Sequence, residues 1–261
     1  MSALNQAANA SRYAFFRGLT PKALALALDA FYECPRRREG DGTITWLGPL
    51  AGYTSRGKDG LQRLGPEYLN FSMIARDHMA LRVVAEKLLY ASLGAIQPTE
   101  KDMAFCGIPT GGRSIVEMMR EVSSVRCIWP EQEEIGQGSA GRRAEKRWRF
   151  APEMEPRPGE HVVLVEDVGN AFSTTEVLVD LVEAFSARVV VIALFLNRSP
   201  TIERSFSHRG RNIPISALWR EAMPLYDQSD PEVEIAVASG NFHLETKKRW
   251  DDFLFAMRPQ R

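Results

Sequence analysis

Two neighbouring carboxylates follow a short run of apolar and β-branched residues in the middle of the chain. The run is His161–Val165, and Glu166 and Asp167 come directly after it. Such runs are typical of strands buried on both faces of a parallel sheet. Adjacent carboxylates suit sugar hydroxyl groups, or a magnesium ion that a ligand carries. We therefore expect a polar site at the carboxyl end of this strand.

A hydroxyl-rich segment comes after the acidic pair. Val168–Phe172 is predicted to be a short turn, and Ser173 is predicted to cap the next helix, with Glu176 three residues later as in a capping box. Free backbone N–H groups and the positive end of a helix dipole suit a phosphate. A sugar phosphate would therefore match both the acids and the loop. The alternative is a capped helix after an acidic turn, with no ligand.

A second stretch that could bind a ligand is Phe105–Arg113, FCGIPTGGR. Met103–Gly107 is predicted to be a core strand, and Ile108–Arg113 the loop that leaves it. The glycines allow the backbone to turn tightly and to approach a ligand closely. Several inward N–H groups in such a loop can hold an anion. The alternative is an ordinary glycine turn.

The elements that must position these residues alternate between strand and helix patterns. Helices are predicted over Arg76–Leu93, over Ser114–Glu121 and after Ser173, where apolar residues recur at helical spacing. Further buried strands are predicted over Val125–Trp129 and Val189–Leu196. This alternation indicates an α/β fold with a parallel sheet flanked by helices.

The remaining segments have weaker patterns. Residues 1–11 are small and polar and are expected to be loose, and Pro21 is expected to open a helix that reaches Tyr32. Glu131–Lys146 is polar, contains three glycines and alternates in charge, which favours a mobile loop. Lys247–Phe255 is expected to form a short amphipathic helix.

Composition narrows the class of protein. Lys plus Arg and Asp plus Glu both number 33, so the formal net charge of zero offers no general attraction to nucleic acid or to a membrane surface. No apolar run reaches the ~20 residues that span a bilayer, and the N-terminus does not resemble a signal peptide. The three cysteines are scattered, which favours free thiols in a reducing compartment. We expect a cytoplasmic protein.

Three motifs together resemble the type I phosphoribosyltransferases, most closely the orotate phosphoribosyltransferases. VVLVEDVGNAFSTTEVL resembles the binding signature of the wider family, and FCGIPTGGR resembles the G-I-P-T-G-G loop of the orotate enzymes. Gly65–Asp77, GPEYLNFSMIARD, resembles their S-P-Y-Y-x-N segment. The motifs occur in the family's order, and the resemblance extends over residues 45 to 200.

The resemblance implies the type I phosphoribosyltransferase fold, with a hood subdomain built by both termini. On that basis residues 1–75 form the N-terminal segment and hood, 76–200 the core, and 201–261 the C-terminal hood and closing helix, within one structural domain. Glu131–Lys146 then corresponds to a catalytic loop that closes over the ligand. The family often forms dimers, which implies a homodimer here.

The resemblance also implies a reaction and its participants. The family transfers a phosphoribosyl group from phosphoribosyl pyrophosphate to a nucleobase with Mg²⁺, and orotate is the favoured base here. Glu166 and Asp167 would be the catalytic acids that hold the ribose hydroxyls and contact the metal indirectly, through ligand or water. The substrate-binding residues implied are Thr110, Gly111 and Gly112 for pyrophosphate, Asn170, Ala171, Ser173 and Thr174 for the 5′-phosphate, and Val168, Tyr68, Lys146 and Arg147.

This chain departs from the family pattern at three places. Phe172 stands where the signature has glycine, and Asn170 where it has threonine. Trp129–Glu131 stands where orotate enzymes have R-K-E. Two further hypotheses therefore stay open: a phosphoribosyltransferase that uses another base, and a non-catalytic binding or regulatory protein on the same fold.

Overall fold

A computed structural model describes residues 3–40, 42, 44–95, 103–135 and 145–258 of the chain. These residues form two compact units, which we describe separately. The first unit comprises Met1–Pro21 and Ala75–Glu221, and the second comprises Lys22–Ile74 and Ala222–Arg261. Residues 1–21 and 201–221, which the resemblance assigned to the terminal segments, thus group with the first unit. The expected domain boundaries, and the hood itself, stay predictions.

Helices and strands alternate along the described residues. The helices are α1 (Ala3–Gly18), α2 (Pro21–Ala27), α3 (Phe71–Ala75), α4 (His78–Leu93), α5 (Gly111–Val122), α6 (Ser173–Glu183), α7 (Glu234–Ala238) and α8 (Trp250–Met257). The strands are β1 (Phe31–Glu33), β2 (Arg36–Arg38), β3 (Ile44–Trp46), β4 (Leu50–Arg56), β5 (Gln62–Gly65), β6 (Glu67–Leu69), β7 (Met103–Gly107), β8 (Arg126–Ile128), β9 (Glu131–Ile135), β10 (Glu145–Arg149), β11 (His161–Gly169), β12 (Arg188–Asn197), β13 (Ser205–His208), β14 (Arg211–Arg220) and β15 (Phe242–His243).

The first unit is built on a six-stranded sheet in the order β13-β14-β12-β11-β7-β8. Its pairs are parallel except for β13, which runs antiparallel to β14 at one edge. Val162 and Leu164 of β11 pack with Leu178, Val179 and Val182 of α6 in one buried cluster. The α/β fold with a mostly parallel sheet flanked by helices is therefore confirmed.

The central strand is longer than its apolar run predicts. β11 continues to Gly169, so Glu166, Asp167 and Val168 lie in the strand rather than in a turn. The strand can continue because β12 offers matching backbone partners as far as Asn197, opposite Gly169. The turn before α6 is correspondingly short.

Two predictions for the N-terminal residues are wrong. Residues 3–11 belong to α1, which is held to α4 by an Arg12–Asp77 ion pair and a hydrogen bond from Tyr13 to Glu86. These tertiary contacts add to a favourable alanine content. The helix that begins at Pro21 ends at Ala27, and Phe31–Glu33 pairs with Leu69–Glu67 instead of continuing it.

The two ends of Glu131–Lys146, the polar segment predicted to be a loop, lie in paired strands. β9 and β10 are antiparallel, with Glu133 opposite Arg147 and Glu131 opposite Arg149. The Arg149 Nε–Glu133 Oε2 distance is 3.2 Å. Acidic residues on one strand face basic residues on the other, which stabilises a hairpin. Residues 136–144 of the expected loop lie outside the described residues.

The second unit has its own core. Tyr32, Trp46, Leu50, Trp250 and Phe253 belong to one buried cluster. The indole Nε1 of Trp250 donates to the Asp29 carbonyl at 2.8 Å, and the Tyr32 hydroxyl donates to the Pro49 carbonyl at the same distance. The closing helix expected over Lys247–Phe255 is α8, shifted by a few residues.

The cysteines and the helix lengths test two further expectations. Cys34, Cys106 and Cys127 are free and buried, as their scattered spacing predicts. Among the described residues, no helix combines the length and the apolar character that crossing a bilayer requires.

Candidate functional site

The acidic pair lies at the carboxyl end of β11, where the side chains are partly buried. Loss of hydration, followed by the charge of the neighbouring Asp167, raises the pKa of Glu166 to about 8. The Thr175 hydroxyl donates to Glu166 Oε2 at 3.3 Å and opposes that shift. Because the Asp167 charge acts on Glu166, a cation or hydrogen-bond donors beside the pair would favour the ionised form of both. Sequence reasoning missed Thr175, although it lies in the same hydroxyl run as Ser173 and Thr174.

Glu166 predicts a pH dependence of stability. Between about pH 5 and 8 the folded protein retains a proton on this carboxyl that the unfolded chain has released, because the folded pKa is the higher one. The contribution of Glu166 to stability is therefore present at low pH and is lost as pH rises through 8. We expect Glu166→Gln to raise the melting temperature relative to wild type at pH 8 and to change it little at pH 5, by differential scanning fluorimetry. An equal shift at both pH values would contradict the pKa assignment.

The glycine loop after β7 lies against the acidic pair. Gly107 is paired with Val165 in the parallel register, and the Ile108 N–H donates to the Val165 carbonyl at 2.8 Å. A Cβ atom on Gly111 would lie 2.3 Å from Asp167 Cγ, which shows that the carboxylate occupies the space beside this glycine. The two stretches singled out in the sequence therefore meet at one edge of the sheet. Glycine is required at 111 because a side chain there would displace Asp167.

The predicted anion loop runs from the end of β11 to the start of α6. The Gly169 carbonyl accepts a hydrogen bond from the Arg198 N–H at 2.9 Å, which ties the loop to the end of β12. Asn170 and Thr174 are partly buried, and Ala171 and Ser173 are exposed. The loop thus presents small and polar residues at the first turn of a helix, as a phosphate would require.

The expected cap of α6 is wrong by one residue. Phe172 is the N-cap, with φ of 56° and ψ of 15°, and no side chain caps the helix. Ser173 is instead the first helical residue. The cap is one residue earlier than expected because β11 runs on to Gly169. The chain then turns sharply into the helix at Phe172, which adopts the left-handed conformation.

The Phe172 ring packs with apolar residues of the sheet. It contacts the buried cluster of the first unit, and its centroid lies 5.9 Å from that of Phe206. A Cβ atom on Gly169 would lie 3.0 Å from Phe172 Cε1, so the ring covers the end of β11. Phe172 therefore keeps the backbone conformation that favours glycine and places its bulk in the cluster.

Substitutions at Phe172 will separate these two effects. Alanine loses the ring contacts but keeps a Cβ in the left-handed conformation, whereas glycine loses the ring and the strain together. We expect Phe172→Gly to be more stable than Phe172→Ala by about 1 kcal/mol, the reverse of the usual order. Both variants should be less stable than wild type, because the lost ring packing outweighs the relieved strain. Urea unfolding measures the difference, and alanine more stable than glycine would contradict it.

The other predicted substrate-binding residues lie in four different elements. Thr110 is exposed at the N-cap of α5, and Gly112 is buried directly after it. Val168 is the penultimate residue of β11. Arg147 is exposed in β10 opposite Glu133, and Lys146 has only its backbone, in β10, within the described residues. Tyr68 lies in β6 of the second unit, where its ring contacts Tyr53 and Trp250.

The donors for a metal ion are the two acids of β11. In the described part of the chain, no group of three or more His, Cys, Asp or Glu side chains is arranged to hold a metal. Mg²⁺ often binds through one or two carboxylates together with substrate phosphate oxygens. Glu166 and Asp167 fit that mode, since a cation would favour the ionised form of Glu166, which loss of hydration and then the Asp167 charge disfavour. They do not fit a site made by protein ligands alone.

The arrangement resembles known structures, although no family model and no curated protein sequence matches the chain. UMP synthase from Leishmania donovani superposes with a TM-score of 0.50 at 16% identity, over 92% of this chain and 42% of that one. Orotate phosphoribosyltransferase from Aeropyrum pernix gives 0.48 at 13% identity, over 77% and 93%. The chain has the type I phosphoribosyltransferase fold.

Adenine phosphoribosyltransferase from Trypanosoma brucei, in complex with AMP, pyrophosphate and ribose-5-phosphate, is another similar structure. It gives a TM-score of 0.48 at 14% identity, over 76% of this chain and 79% of that one. The resemblance inferred from the three motifs is confirmed for the phosphoribosyltransferase fold. At these identities the likeness concerns the fold alone, so the roles of the individual site residues stay predictions.

Proposed function

We propose that this protein binds phosphoribosyl pyrophosphate with Mg²⁺ and transfers its phosphoribosyl group to a nucleobase, with orotate as the favoured base. The observation that carries the proposal is the contact between two motifs far apart in sequence. The Asp167 carboxylate fills the space beside Gly111, so the acidic pair and the glycine loop share one edge of the sheet. A pentose with phosphates at both ends requires such a pairing.

In this proposal the chain positions the substrate and stabilises charge. Glu166 and Asp167 accept hydrogen bonds from the ribose hydroxyls. The backbone N–H groups of 170–174 hold the 5′-phosphate at the start of α6, and those of 110–112 hold the pyrophosphate. The bond from the anomeric carbon to the pyrophosphate oxygen breaks, and the base nitrogen forms the new bond to that carbon and loses its proton to solvent. Pyrophosphate leaves with the electron pair.

Glu166 and Asp167 would hold Mg²⁺ through the ligand or through water. The ion would neutralise negative charge on the pyrophosphate. Its binding would also favour the ionised form of Glu166, whose pKa is raised to about 8 in the free protein. The carboxylate would then accept hydrogen bonds from the ribose.

Turnover with a panel of bases tests the proposal. Purified protein with Mg²⁺ and phosphoribosyl pyrophosphate is given orotate, uracil, adenine or hypoxanthine, and pyrophosphate release is followed. We expect release that depends on both the base and Mg²⁺, fastest with orotate. Release with another base alone would support a phosphoribosyltransferase of different specificity. No release with any base would overturn the proposed transfer, and no binding of ribose 5-phosphate by calorimetry would overturn the binding site as well.

A non-catalytic binding protein is the second candidate. Exposed Glu131 follows Trp129 and Pro130 after β8, which pairs with β7 on the side away from β11, so an acid comes after this neighbouring strand too. An acid there disfavours charge building up on pyrophosphate. This candidate predicts that ribose 5-phosphate binds in the calorimeter but no base is consumed.

Three further parts of the proposal are independent of the chemistry. A homodimer and a cytoplasmic location follow from the resemblance and from the composition, and no interaction with nucleic acid is expected. Light scattering coupled to gel filtration measures the first of these directly. A mass corresponding to one chain at micromolar concentration would exclude the homodimer.

A further inference from the structure

We propose that Arg113 is a pyrophosphate-binding residue of this site, held in its working position by the ring of Trp129. The inference rests on the proposed function, because it names the group that receives the leaving pyrophosphate. Three observations carry it: the place of Arg113 in α5, its stacking on Trp129, and the charge of its surroundings.

Arg113 is next to the glycines that meet the acidic pair. It is the third residue of α5, which begins at Gly111, and it lies in the first turn of that helix. A Cβ atom on Gly107 would lie 2.8 Å from the Arg113 Cα, so this turn rests directly on the end of β7. A cation at this place is close to any anion bound by the N–H groups of 110–112.

The guanidinium is held by two partners. Its Cζ lies 4.8 Å from the centroid of the Trp129 ring, and its Nε donates to Glu117 Oε1 at 2.9 Å. Trp129 is only 7% exposed, so the ring is a fixed platform after β8. The Arg113 side chain is 43% exposed. Stacking uses the face of the guanidinium and leaves N–H groups at its edge for the paired oxygens of a phosphate.

The charge balance of the site favours this role. Asp167 brings negative charge to the edge of the sheet, Glu166 adds to it once ionised, and exposed Glu131 follows β8. Pyrophosphate is itself a polyanion, so backbone N–H groups alone would have to bind it against the repulsion of these carboxylates. Arg113 places a guanidinium one residue beyond Gly112, and its ion pair with Glu117 uses Nε and leaves the terminal N–H groups for an anion. A guanidinium can also donate two parallel N–H···O bonds to one phosphate through its planar fork, a geometry that an ammonium group lacks.

Arg120 provides a matched control on the same ring. Its Cζ lies 5.7 Å from the Trp129 centroid. It is seven residues further along α5, roughly 10 Å from Arg113 along the helix axis. The two arginines therefore share a charge, a helix and an aromatic partner, and differ in their distance from the glycine turn.

Calorimetric binding of two ligands tests the inference. Mg²⁺-pyrophosphate and ribose 5-phosphate are titrated separately into wild type, Arg113→Met, Arg113→Lys and Arg120→Met, with thermal melting to confirm folding. We expect Arg113→Met to weaken pyrophosphate binding roughly 10- to 100-fold, as for loss of hydrogen bonds to a charged group, and to leave ribose 5-phosphate binding within twofold. Arg113→Lys should recover part of the loss, and Arg120→Met should change neither ligand.

The outcomes separate the inference from the function it rests on. Unchanged pyrophosphate binding in Arg113→Met, with both ligands bound by wild type, overturns the role of Arg113 and leaves the proposed function standing. Equal losses in the Arg113 and Arg120 variants also overturn it, since the effect would then be general electrostatics or the Trp129 platform. Wild type that binds neither ligand overturns the proposed function together with the inference.

Discussion

Under the proposed function, replacing Asp167 with asparagine will reduce kcat/KM for phosphoribosyl transfer about 10- to 100-fold, the effect expected when a hydrogen bond to a charged group is lost. The Asp167 side chain extends from the acidic end of β11 to the glycine turn, where it lies beside Gly111. Asparagine has nearly the same shape, so it removes the charge without opening a space. The same change will make the free protein more stable at pH 8, because the Asp167 charge raises the pKa of Glu166.

This opposition between activity and stability identifies a functional carboxylate. A structural residue would lose both on substitution. Glu153→Gln is a suitable control, since Glu153 is exposed in the 3-10 helix at Pro152–Met154 and its replacement changes the net charge equally. Steady-state kinetics and thermal melting at pH 8 are measured on both variants. Lower stability of Asp167→Asn at that pH, or an equal loss of activity in Glu153→Gln, would contradict the assignment.

The parts of the fold that follow from local pattern could be predicted. The apolar residues of α4 recur at helical spacing, and Asp77 caps the helix by accepting hydrogen bonds from the Met79 and Ala80 N–H groups at 3.1 Å. The buried strands β7, β11 and β12 were visible as apolar runs because both of their faces are covered. In each case one segment contains its own signal.

The parts decided by tertiary partners could not be predicted. α1 depends on Asp77 and Glu86 of α4, which bind Arg12 and Tyr13. In the β9–β10 hairpin, alternating charge was interpreted as a mark of a loop. It is instead the pattern that places Glu133 opposite Arg147 and Glu131 opposite Arg149. A pattern of charges on one strand has a structural meaning only when the opposing strand is known.

The candidate site shows the same division. That both motifs lie at carboxyl ends of parallel strands follows from the order of strands and helices. That Asp167 fills the space beside Gly111 depends on the register of β7 against β11, Gly107 opposite Val165, which no single motif contains. The Arg113–Trp129 contact likewise joins a helix to a neighbouring strand. Residue types were predictable here, and their pairwise contacts were not.

Replacing Gly112 with alanine will destabilise the first unit by about 3 kcal/mol, at the upper end of the usual cost of overpacking. A Cβ atom at this position would lie 2.0 Å from the Val165 carbonyl oxygen. That oxygen already accepts a hydrogen bond from the Ile108 N–H at 2.8 Å, and it belongs to the central strand. Neither backbone segment can rotate away as a flexible side chain could, so the sheet edge or the first turn of α5 must shift.

Gly94→Ala is the matched control for this prediction. Gly94 has φ of −67° at the end of α4, and a Cβ there would meet its nearest atoms at the ordinary distances of 3.5 and 3.8 Å. Alanine at such a position stabilises by up to about 1 kcal/mol, because it restricts the unfolded chain. Urea unfolding of the two variants should therefore give opposite signs. A Gly112→Ala protein as stable as wild type would show that α5 does not pack on β11 at this distance. It would also contradict the contact between the two motifs of the site.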